Sequence, residues 1–543
     1  MASLTRNVPV TPRAGISPLA SEAAAENSLS IAHSNSLLLG LAVVVAAFGW
    51  VILAMRWHQP LLGMHSFRQT QTAITAYSIY HGGPWFAYET PVLGPPWSIP
   101  FEFPLYQLMV AGVARLTGIG IDPAGRLLSY LFLLLTIIPI RLLVRTYRLR
   151  AETGWIAAIL ILASPLYLYW GTAHLIETLA LMLGFAFLAE ASRALEGDAG
   201  WLRTLSAISF GILAALCKIT TFAPFYGLTG CALLASLNSY RKSGRSWLIP
   251  LIRSGAIMTL PPLSFLLWDR YADRHRLANP IARFMASKAP MLHDWTFGTW
   301  SELFSAATPA TLMRSITDTF GIAAPLLLLA ILIVAVGSRL LSKLESLIVV
   351  ATVAAFLAPY AVFTHLHVVH NYYDSENAIF LLCAVAIILG RLLASGASKL
   401  AWSGLAAVVA SQAIWFAIHF LPDVRHPRGP TLIAIADRLK NETPPDSMIV
   451  IYGWEWSPVI PYYAERHALM EPTFVPKQER MDRLNRWTAD GGAEGIGAFV
   501  RCRSSFDSDP DFARAFGLIE QRYRQEQVGG CRLYFVERPA HRS

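Results

Sequence analysis

The sequence predicts a polytopic α-helical membrane protein that ends in a small α/β domain. Of its 543 residues, 54% are hydrophobic and 15% are charged, whereas a soluble protein carries about 25% charged residues. Apolar runs long enough to cross a bilayer recur along the chain, as expected of membrane-spanning helices. The 16 tryptophans and 19 tyrosines are typical of the aromatic belts at the two membrane surfaces.

Short basic clusters indicate the orientation of the chain and account for its net charge of +9. They separate apolar runs and read "RTYRLR" (Arg145–Arg150), "SYRKSGR" (Ser239–Arg245) and "SRLLSK" (Ser338–Lys343). Loops rich in Lys and Arg stay on the cytoplasmic side of a membrane. The positive charge therefore fits contact with membrane lipids, and no nucleic-acid partner is expected.

A series of segments has the length and composition of membrane spans. They are residues 36–55, 126–145, 152–171, 177–192, 205–217, 222–238, 247–267, 320–337, 345–363, 377–394 and 400–421. The segment 103–118 is short and carries Arg115, which favours a juxtamembrane or partly inserted helix. If this segment crossed the membrane, every later loop would change sides, and one of the other predicted spans would have to be wrong. We therefore expect about eleven to thirteen transmembrane helices.

Three regions follow from this pattern. Residues 1–34 are rich in Ala and Ser without an apolar core, which predicts a disordered cytoplasmic tail and no signal peptide. Residues 35–421 form the membrane domain, with large outer loops at 56–125 and 268–319. Residues 422–543 alternate helix and strand patterns, which predicts an α/β domain on the outer side, the periplasmic side in a bacterial inner membrane.

Two of the five cysteines lie in the polar C-terminal region. Cys502 ends one strand pattern and Cys531 begins another, so neighbouring strands could bring the two sulfurs together. A disulfide there would require an oxidising compartment. The alternative is a pair of free thiols.

Unusual polar residues concentrate in the segments that this topology places outside. They are His65, Arg68, Glu89, Glu102, His174, Glu177, Lys218, His293, Asp294, His365, His367, His370, Asn371, Tyr372, Tyr373, Asp374 and Glu376. Charged residues at membrane depth are costly and are therefore usually paired or functional. If the topology holds, these residues meet at one face of the membrane and build a single cavity.

Carboxylates, cations and aromatic rings at an outer membrane face suit glycosyl transfer from a lipid-linked phosphosugar. The acceptor hydroxyl needs a carboxylate or another base to take its proton. The departing phosphate needs Arg, Lys or a metal ion to stabilise its charge. Aromatic rings can stack on sugar faces, and long apolar helices can hold a polyprenyl tail.

Several short motifs in this order resemble a known family. They are "HSFRQTQTA", "EFPLYQ", a "PLY…ETL" turn, a "KIT" span end and a late "HNYY". With the span pattern and the C-terminal domain, they resemble the GT-C glycosyltransferases, in the group with protein O-mannosyltransferases and lipid A aminoarabinose transferases. The resemblance covers essentially the whole chain. It implies transfer of a sugar, with inversion, from a polyprenyl-phosphate donor to a lipid, polysaccharide or protein acceptor at the periplasmic face.

The resemblance also implies which residues act as acids and bases. The family usually carries an acidic residue early in the first outer loop, but this chain has His65-Ser66-Phe67-Arg68 there. Glu102 in "EFPLY" matches the acid of the second motif and is the first candidate base, with Glu89 second. His65 is a further candidate, because neutral imidazole suits proton transfer near neutral pH. Glu177 matches the family's acidic residue at the turn and would orient the base or a cation.

Arg68 and Lys218 are the candidates for binding the donor phosphate, with Tyr372 and Tyr373 beside them. Each has a simpler interpretation. Arg68 could contact lipid headgroups, Lys218 could be a snorkelling residue at a span end, and the two tyrosines could belong to an interfacial belt. Glu102 could equally be an exposed loop residue.

A divalent metal ion is an open alternative for the site, because related enzymes differ in their need for one. Glu102, His293 and His370 are the candidate ligands. A structural zinc site in "HLHVVH" is less favoured, since zinc needs three or four ligands in fixed geometry. The competing functions are a polyprenyl-linked oligosaccharide polymerase or ligase, a membrane transporter, and a scaffold with a decayed catalytic loop.

Overall fold

A computed structural model describes residues 18–195, 200–244, 246–324, 326, 333, 340–395, 397–426, 429–489 and 492–536. Helices dominate up to residue 442, and a mixed sheet follows. The helices are α1 (Pro18–Arg56), α2 (Ser66–Tyr80), α3 (Leu105–Thr117), α4 (Ile121–Thr146), α5 (Ala151–Ala163), α6 (Pro165–Trp170), α7 (Glu177–Ala194), α8 (Gly200–Cys217), α9 (Ile219–Lys242), α10 (Leu248–Ala278), α11 (Pro290–Phe297), α12 (Trp300–Leu303), α13 (Ala307–Phe320), α14 (Lys343–Val362), α15 (Thr364–Val369), α16 (Asp374–Ala394), α17 (Ser398–Trp415), α18 (Leu421–Arg425), α19 (Pro430–Glu442), α20 (Val459–Ala464), α21 (Lys477–Thr488) and α22 (Pro510–Arg522). The strands are β1 (Met448–Tyr452), β2 (His467–Glu471), β3 (Ile496–Cys502), β4 (Arg524–Val528) and β5 (Cys531–Phe535).

Within the described residues, eight helical segments are long and apolar enough to cross a membrane. They are Ser34–Arg56, Ile121–Thr146, Gly200–Cys217, Ile219–Lys242, Leu248–Ala278, Lys343–Val362, Asn371–Ala394 and a segment within Ser398–Glu442. Each of them overlaps one of the spans that the sequence predicts, with boundaries that agree to within a residue or contain the whole predicted span. The predicted class, a polytopic helical membrane protein with a small α/β domain, is confirmed.

The remaining predicted spans differ from simple crossings. The span at 152–171 is divided between α5 and α6, because Ser164 precedes Pro165 and is extended, with φ −61° and ψ 129°. A residue before proline is disfavoured in helical geometry. The span at 177–192 is α7, and the span at 320–337 lies mostly outside the described residues. Helix α3 has 13 residues, about 20 Å, which is too short to cross a bilayer.

The first helix is longer than the sequence analysis expects. Helix α1 begins at Pro18, inside the stretch 1–34 that is predicted to be a disordered tail; residues 1–17 lie outside the described part. Alanine and glutamate in "PLASEAAAE" are good helix formers. A short segment of this kind is only marginally helical alone, but here it extends an existing apolar helix and avoids the cost of nucleation.

The C-terminal domain is built on one mixed sheet with strand order β2-β1-β3-β5-β4. Strand β1 pairs in parallel with β2 and β3, while β5 is antiparallel to both β3 and β4. Cys502 stands opposite Cys531 in the β3–β5 register, and the two form a disulfide. The predicted pairing is therefore confirmed, and the free-thiol alternative is wrong.

The loop 56–125, which the sequence analysis expects on the outer side, pairs through its backbone with this sheet. The N–H of Gly94 donates to the carbonyl of Ala468 at 3.0 Å, and the N–H groups of Ala468 and Met470 donate to Pro91 and Val92, both at 2.9 Å. The edge of β2 is thus covered by the loop, which satisfies strand groups that would otherwise be exposed. The domain is fastened directly to the membrane region.

Two tyrosines make a second attachment. The hydroxyls of Tyr462 and Tyr463 donate to the two carboxylate oxygens of Asp122, at 2.5 and 2.8 Å. Asp122 lies in the first turn of α4. A third link joins Arg283 to Glu479 at 2.7 Å. These contacts hold the C-terminal domain at the end of the helix bundle where α4 begins.

Removing the disulfide should destabilise the C-terminal domain. The bond closes a loop with a sequence separation of 29 residues, and such a crosslink is worth about 3 kcal/mol, chiefly by restricting the unfolded chain. We expect Cys502→Ala/Cys531→Ala to lower the denaturant concentration at which half of this domain is unfolded. Unfolding can be measured by the susceptibility of the detergent-solubilised protein to proteolysis. Cys231→Ser, at an exposed free cysteine, is the control, and equal midpoints for both variants would contradict a stabilising role.

Candidate active site

The outer segments predicted from the sequence meet at one end of the helix bundle. His65 in the first loop contacts His370 in the loop before α16, with 3.4 Å between their Nδ1 atoms. The N–H of His174 donates to Gln69 Oε1 at 3.3 Å, and His365 Nδ1 lies 2.9 Å from Glu302 Oε1. The C-terminal domain joins through the contacts described above. Polar side chains from distant parts of the chain therefore share one site.

Arg68 and Glu102 form an ion pair at the centre of this site. Arg68 lies in the first turn of α2, which starts after His65 in a left-handed conformation with φ 50°. A second guanidinium nitrogen of Arg68 donates to Gln71 Oε1 at 2.9 Å. Burial disfavours the Glu102 carboxylate, but the neighbouring Arg68 charge more than offsets this and holds the pKa of Glu102 below its ordinary value. Glu102 is therefore ionised at neutral pH.

A small cleft opens beside this ion pair, with a volume of about 10 Å³, enough for one water molecule. It is lined by Arg68, Gln71, Thr72, Thr75, Tyr88, Phe101, Glu102 and Gln107. Arg68 Nε is buried and has no hydrogen-bond partner among the described residues. The Glu102 side chain is 26% exposed. Arg68, which lines the cleft, thus has one N–H donor without a partner among the described residues, and the carboxylate beside it is accessible.

A second buried charge cluster lies at Lys218, where α8 ends and α9 begins. The Lys218 backbone is extended, with φ −162° and ψ 107°, at a break between the two helices. Its Nζ lies 2.6 Å from Glu177 Oε1 and 2.5 Å from Glu376 Oε1. All three side chains are at most 4% exposed. The ammonium already has two carboxylate partners, which differs from the predicted role of binding a donor phosphate directly.

Aromatic rings cover the Lys218 cluster. Lys218 Nζ lies 4.1 Å from the ring centroid of Tyr373 and 5.1 Å from that of Tyr372. The Tyr372 ring also lies 5.0 Å from the His65 ring, and Trp170 packs 5.8 Å from His65 on another side. The two predicted tyrosines are therefore part of the site, placed between Lys218 and the histidine pair.

The paired histidines are neutral at physiological pH. Burial lowers the pKa of His65, and burial with the neighbouring His65 charge lowers the pKa of His370 to about 3. The two Nδ1 atoms lie 3.4 Å apart, so between neutral rings one Nδ1–H donates and the other Nδ1 accepts. The pair therefore keeps one unprotonated Nε2, which is the arrangement a base requires.

The predicted metal ligands do not gather around one point. Glu102 binds Arg68, His370 contacts His65, and His293 is 65% exposed beside Asp294. In the part of the chain that the structure describes, no group of three or more His, Cys, Asp or Glu side chains could hold a metal ion. The dependence of the protein on a metal stays a prediction.

The structure adds two residues to the site, Glu376 and Arg314, to which the sequence analysis assigns no role. Glu376 was recognised only as one of many polar residues outside, and the structure makes it the second partner of Lys218. Arg314 also belongs to the site: its Nη2 donates to the carbonyl of His367 at 2.7 Å and lies 3.3 Å from Asp374 Oδ2. A single arginine in the amphipathic segment "ATLMRSITDTF" at the end of the outer loop was the available signal.

Glu89, the second candidate base, lies apart from the ion pair. Glu89 Oε2 accepts from the Ser78 hydroxyl at 3.1 Å, and its backbone forms a bridge with Ser98. It is absent from the lining of the cleft. The geometry therefore favours Glu102 over Glu89 as the carboxylate that faces a bound acceptor.

No family model matches the sequence, and no curated protein matches it. Solved structures match in fold. The crystal structure of ArnT from Cupriavidus metallidurans bound to undecaprenyl phosphate gives a TM-score of 0.60 at 13% identity, over 91% of this chain and 98% of that chain. The cryo-EM structure of the arabinofuranosyltransferase AftD from Mycobacteria gives 0.55 at 14% identity, over 92% of this chain and 40% of that chain. The chain has the GT-C fold, as the motifs indicated.

Removing the Lys218 ammonium should be strongly destabilising. Lys218→Met would leave Glu177 and Glu376 buried without a counter-charge, and an unpaired buried charge costs about 3–5 kcal/mol. We expect a lower melting temperature of the detergent-solubilised protein. Lys218→Met/Glu177→Gln/Glu376→Gln should recover most of that loss, because no uncompensated charge remains.

The exposed pair Lys440–Glu465 provides the control, since its side chains are 41% and 39% exposed. Lys440→Met should change the stability by less than about 1 kcal/mol. A Lys218→Met variant as stable as Lys440→Met would contradict the assigned role of the Lys218 cluster.

The buried histidines should make stability depend on pH. Burial lowers the pKa of His367 to about 4, while an unfolded chain takes up this proton near pH 6.5. The unfolded state therefore binds more protons between pH 7 and pH 5, and His367 should cost about 2 kcal/mol of stability over that interval. The melting temperature should fall less between pH 7 and pH 5 for His367→Gln than for the wild type. His293→Gln, at an exposed side chain, is the control and should behave like the wild type. An identical fall for His367→Gln would contradict this assignment.

Proposed function

We propose that this protein is an integral membrane glycosyltransferase that moves a sugar from a polyprenyl-phosphate donor to an acceptor hydroxyl. The observation that carries the proposal is the cleft at Arg68 and Glu102, where a buried guanidinium and an ionised carboxylate face one small space. The fold supports it, since a structural neighbour is ArnT bound to undecaprenyl phosphate. The polar end of an apolar helix bundle is where a lipid tail and a phosphate could be held together.

Arg68 is the residue that we assign to the donor phosphate. Its Nε is buried without a hydrogen-bond partner among the described residues, and a phosphate oxygen would supply one. Burial opposes the Arg68 charge, but Glu102 and the nearby rings more than offset this and raise the pKa of Arg68, so the charge is permanent. A fixed positive charge in a site shielded from water stabilises a leaving phosphate more strongly than it would in solution.

Glu102 is the residue that we assign to the acceptor. Arg68 engages its Oε1, which leaves Oε2 to take the proton of the attacking hydroxyl. The acceptor oxygen forms the new bond to the anomeric carbon, and the bond from that carbon to the donor phosphate oxygen breaks. The phosphate leaves with the electron pair, beside Arg68. One displacement of this kind inverts the anomeric centre.

The Lys218 cluster has an indirect role in this proposal. Its ammonium is shared by Glu177 and Glu376, and it supports the rings of Tyr372 and Tyr373. It therefore holds α7, α9 and α16 in the positions that shape the site. The His65–His370 pair is the alternative base, next to the same rings.

The membrane side and the acceptor complete the proposal. We place the site and the C-terminal domain at the periplasmic face of a bacterial inner membrane, because the basic connectors lie at the opposite span ends and the Cys502–Cys531 bond needs an oxidising compartment. The acceptor is a lipid, a polysaccharide or a protein. A requirement for a divalent metal ion can be tested by adding a chelator to the transfer assay.

The test is transfer by the purified protein with polyprenyl-phosphate sugars as donors. Glu102→Gln should lower kcat by about 100-fold or more, because the general base is lost. Arg68→Gln should lower kcat and weaken donor binding, since the phosphate loses its cation.

Glu89→Gln is the matched control for Glu102→Gln, because it makes the same chemical change at a carboxylate outside the cleft. It should keep nearly full activity. Normal transfer by Glu102→Gln would remove that residue from the base role. Absence of transfer by the wild type from every polyprenyl-phosphate sugar, while the protein carries a substrate across vesicles, would favour a transporter.

A further inference from the structure

The loop after strand β1 combines an exposed tryptophan with unusual backbone geometry. Gly453, Trp454 and Glu455 have positive φ angles of 93°, 65° and 50°. Left-handed backbone is easy for glycine, but it is rare for a bulky residue such as tryptophan. Such geometry persists only where the surroundings impose it, and it is concentrated at ligand-binding sites.

Neighbouring groups hold this loop in place. The N–H of Ser457 donates to the carbonyl of Trp454 at 3.0 Å, and Glu455 Oε2 accepts from the N–H of Thr473 at 2.9 Å. A Cβ at Gly453 would lie 3.0 Å from the carbonyl oxygen of Cys502, so the loop is closely packed against the disulfide. The Trp454 side chain is nevertheless 51% exposed. A fixed backbone thus presents a large aromatic ring to solvent.

The same loop reaches the cleft through Trp456. The Trp456 ring stacks on Phe101 with 5.6 Å between centroids and meets Phe67 edge-on at 4.7 Å. Phe101 lines the cleft and directly precedes Glu102, and Phe67 directly precedes Arg68. The loop that displays Trp454 therefore packs on the residues that directly precede Arg68 and Glu102.

The other side of the cleft faces the membrane helices. The carbonyl of Phe101 accepts from Trp268 Nε1 at 2.9 Å, and Trp268 belongs to α10, a candidate span. On the same helix, Leu263, Leu266 and Leu267 are 44–59% exposed, as expected of side chains that face lipid. Phe101 in the wall of the cleft thus contacts both a lipid-facing helix and the loop of the C-terminal domain. A polyprenyl tail belongs on the helix side, so the acceptor approaches along the loop.

We propose that the loop 453–458 is the acceptor subsite and that the acceptor is a glycan, with one of its sugar rings stacked on Trp454. This inference rests on the proposed function. The C–H groups on a sugar face are apolar and weakly positive, which suits the negative face of an indole ring. A peptide would favour an open strand edge, but the β2 edge beside the cleft is already occupied by residues 91–94. A lipid acceptor would need a broad apolar surface in place of one ring.

Binding to an array of immobilised oligosaccharides tests the subsite with the full-length protein in detergent. The wild type should bind a subset of the glycans. Trp454→Ala should weaken this binding about three- to ten-fold, while Trp454→Tyr should keep most of it because a flat ring remains. Leu518→Ala alters a side chain in the same domain that is 50% exposed, and it should bind like the wild type.

Three outcomes would overturn the subsite: no glycan binding by the wild type, equal binding by Trp454→Ala, or an equal loss in Leu518→Ala. Vesicles of phosphatidylglycerol are a second probe. If Trp454→Ala loses affinity for these vesicles and keeps its affinity for glycans, the ring contacts lipid and the proposal is wrong.

Donor turnover by the wild type distinguishes this failure from failure of the proposed function. If the wild type releases sugar from undecaprenyl-phosphate donors but Trp454→Ala binds glycans as well as the wild type, only the subsite proposal is wrong. If glycan binding depends on Trp454 but the wild type turns over no donor, the loop is a glycan-binding site and the proposed transferase function is wrong.

Discussion

The site depends on one constraint: a charge inside an apolar helix bundle must have a counter-charge beside it. Lys218 meets this constraint with Glu177 and Glu376, at 2.6 and 2.5 Å. The two carboxylates lie in the first turns of α7 and α16, where the positive end of the helix dipole also favours negative charge. Three helix ends are therefore drawn to one point, and the rings of Tyr372 and Tyr373 pack over it.

This arrangement also decides which cation is available for chemistry. Lys218 is already shared by two carboxylates, whereas Arg68 engages Glu102 and Gln71 and has an Nε–H without a hydrogen-bond partner in the described part of the chain. A guanidinium presents several donors in a fixed plane, so it can bind a carboxylate and a phosphate together. The roles proposed for the two cations, structural for Lys218 and phosphate-binding for Arg68, rest on the number of partners that surround each of them.

The C-terminal domain packs against the wall of the site. Residues 91–94 extend its sheet at β2, and Trp456 packs on Phe101 next to Glu102. Because the loop that carries Glu102 is paired with the sheet a few residues earlier, the position of the domain sets the position of the carboxylate. The strands β1 and β2 are parallel, so their carboxyl ends lie at the same edge of the sheet, where binding sites are often built. The loop after β1 at this edge carries Trp454.

Hydropathy predicted most of the membrane helices because the bilayer admits few ways of satisfying the backbone. It did not predict the break at Pro165, whose effect depends on the extended Ser164 that precedes it. Nor did it predict the start of α1 at Pro18, where a polar segment continues a helix that has already formed. The strand patterns around Cys502 and Cys531 indicated the disulfide, but only the β3–β5 register places the two residues opposite each other.

For the site, residue type and location were enough to select His65, Arg68, Glu102, Glu177 and Lys218, since charged groups at span ends are costly and rarely accidental. The sequence by itself determined that these groups exist at one face of a helical membrane protein. Only the tertiary structure decided how they pair: Arg68 with Glu102, Lys218 with both Glu177 and Glu376, and His65 with His370. The reason is physical. Burial cost is a property of a side chain and its segment, whereas pairing depends on distances of a few ångströms between residues that are 34 to 305 positions apart in the chain.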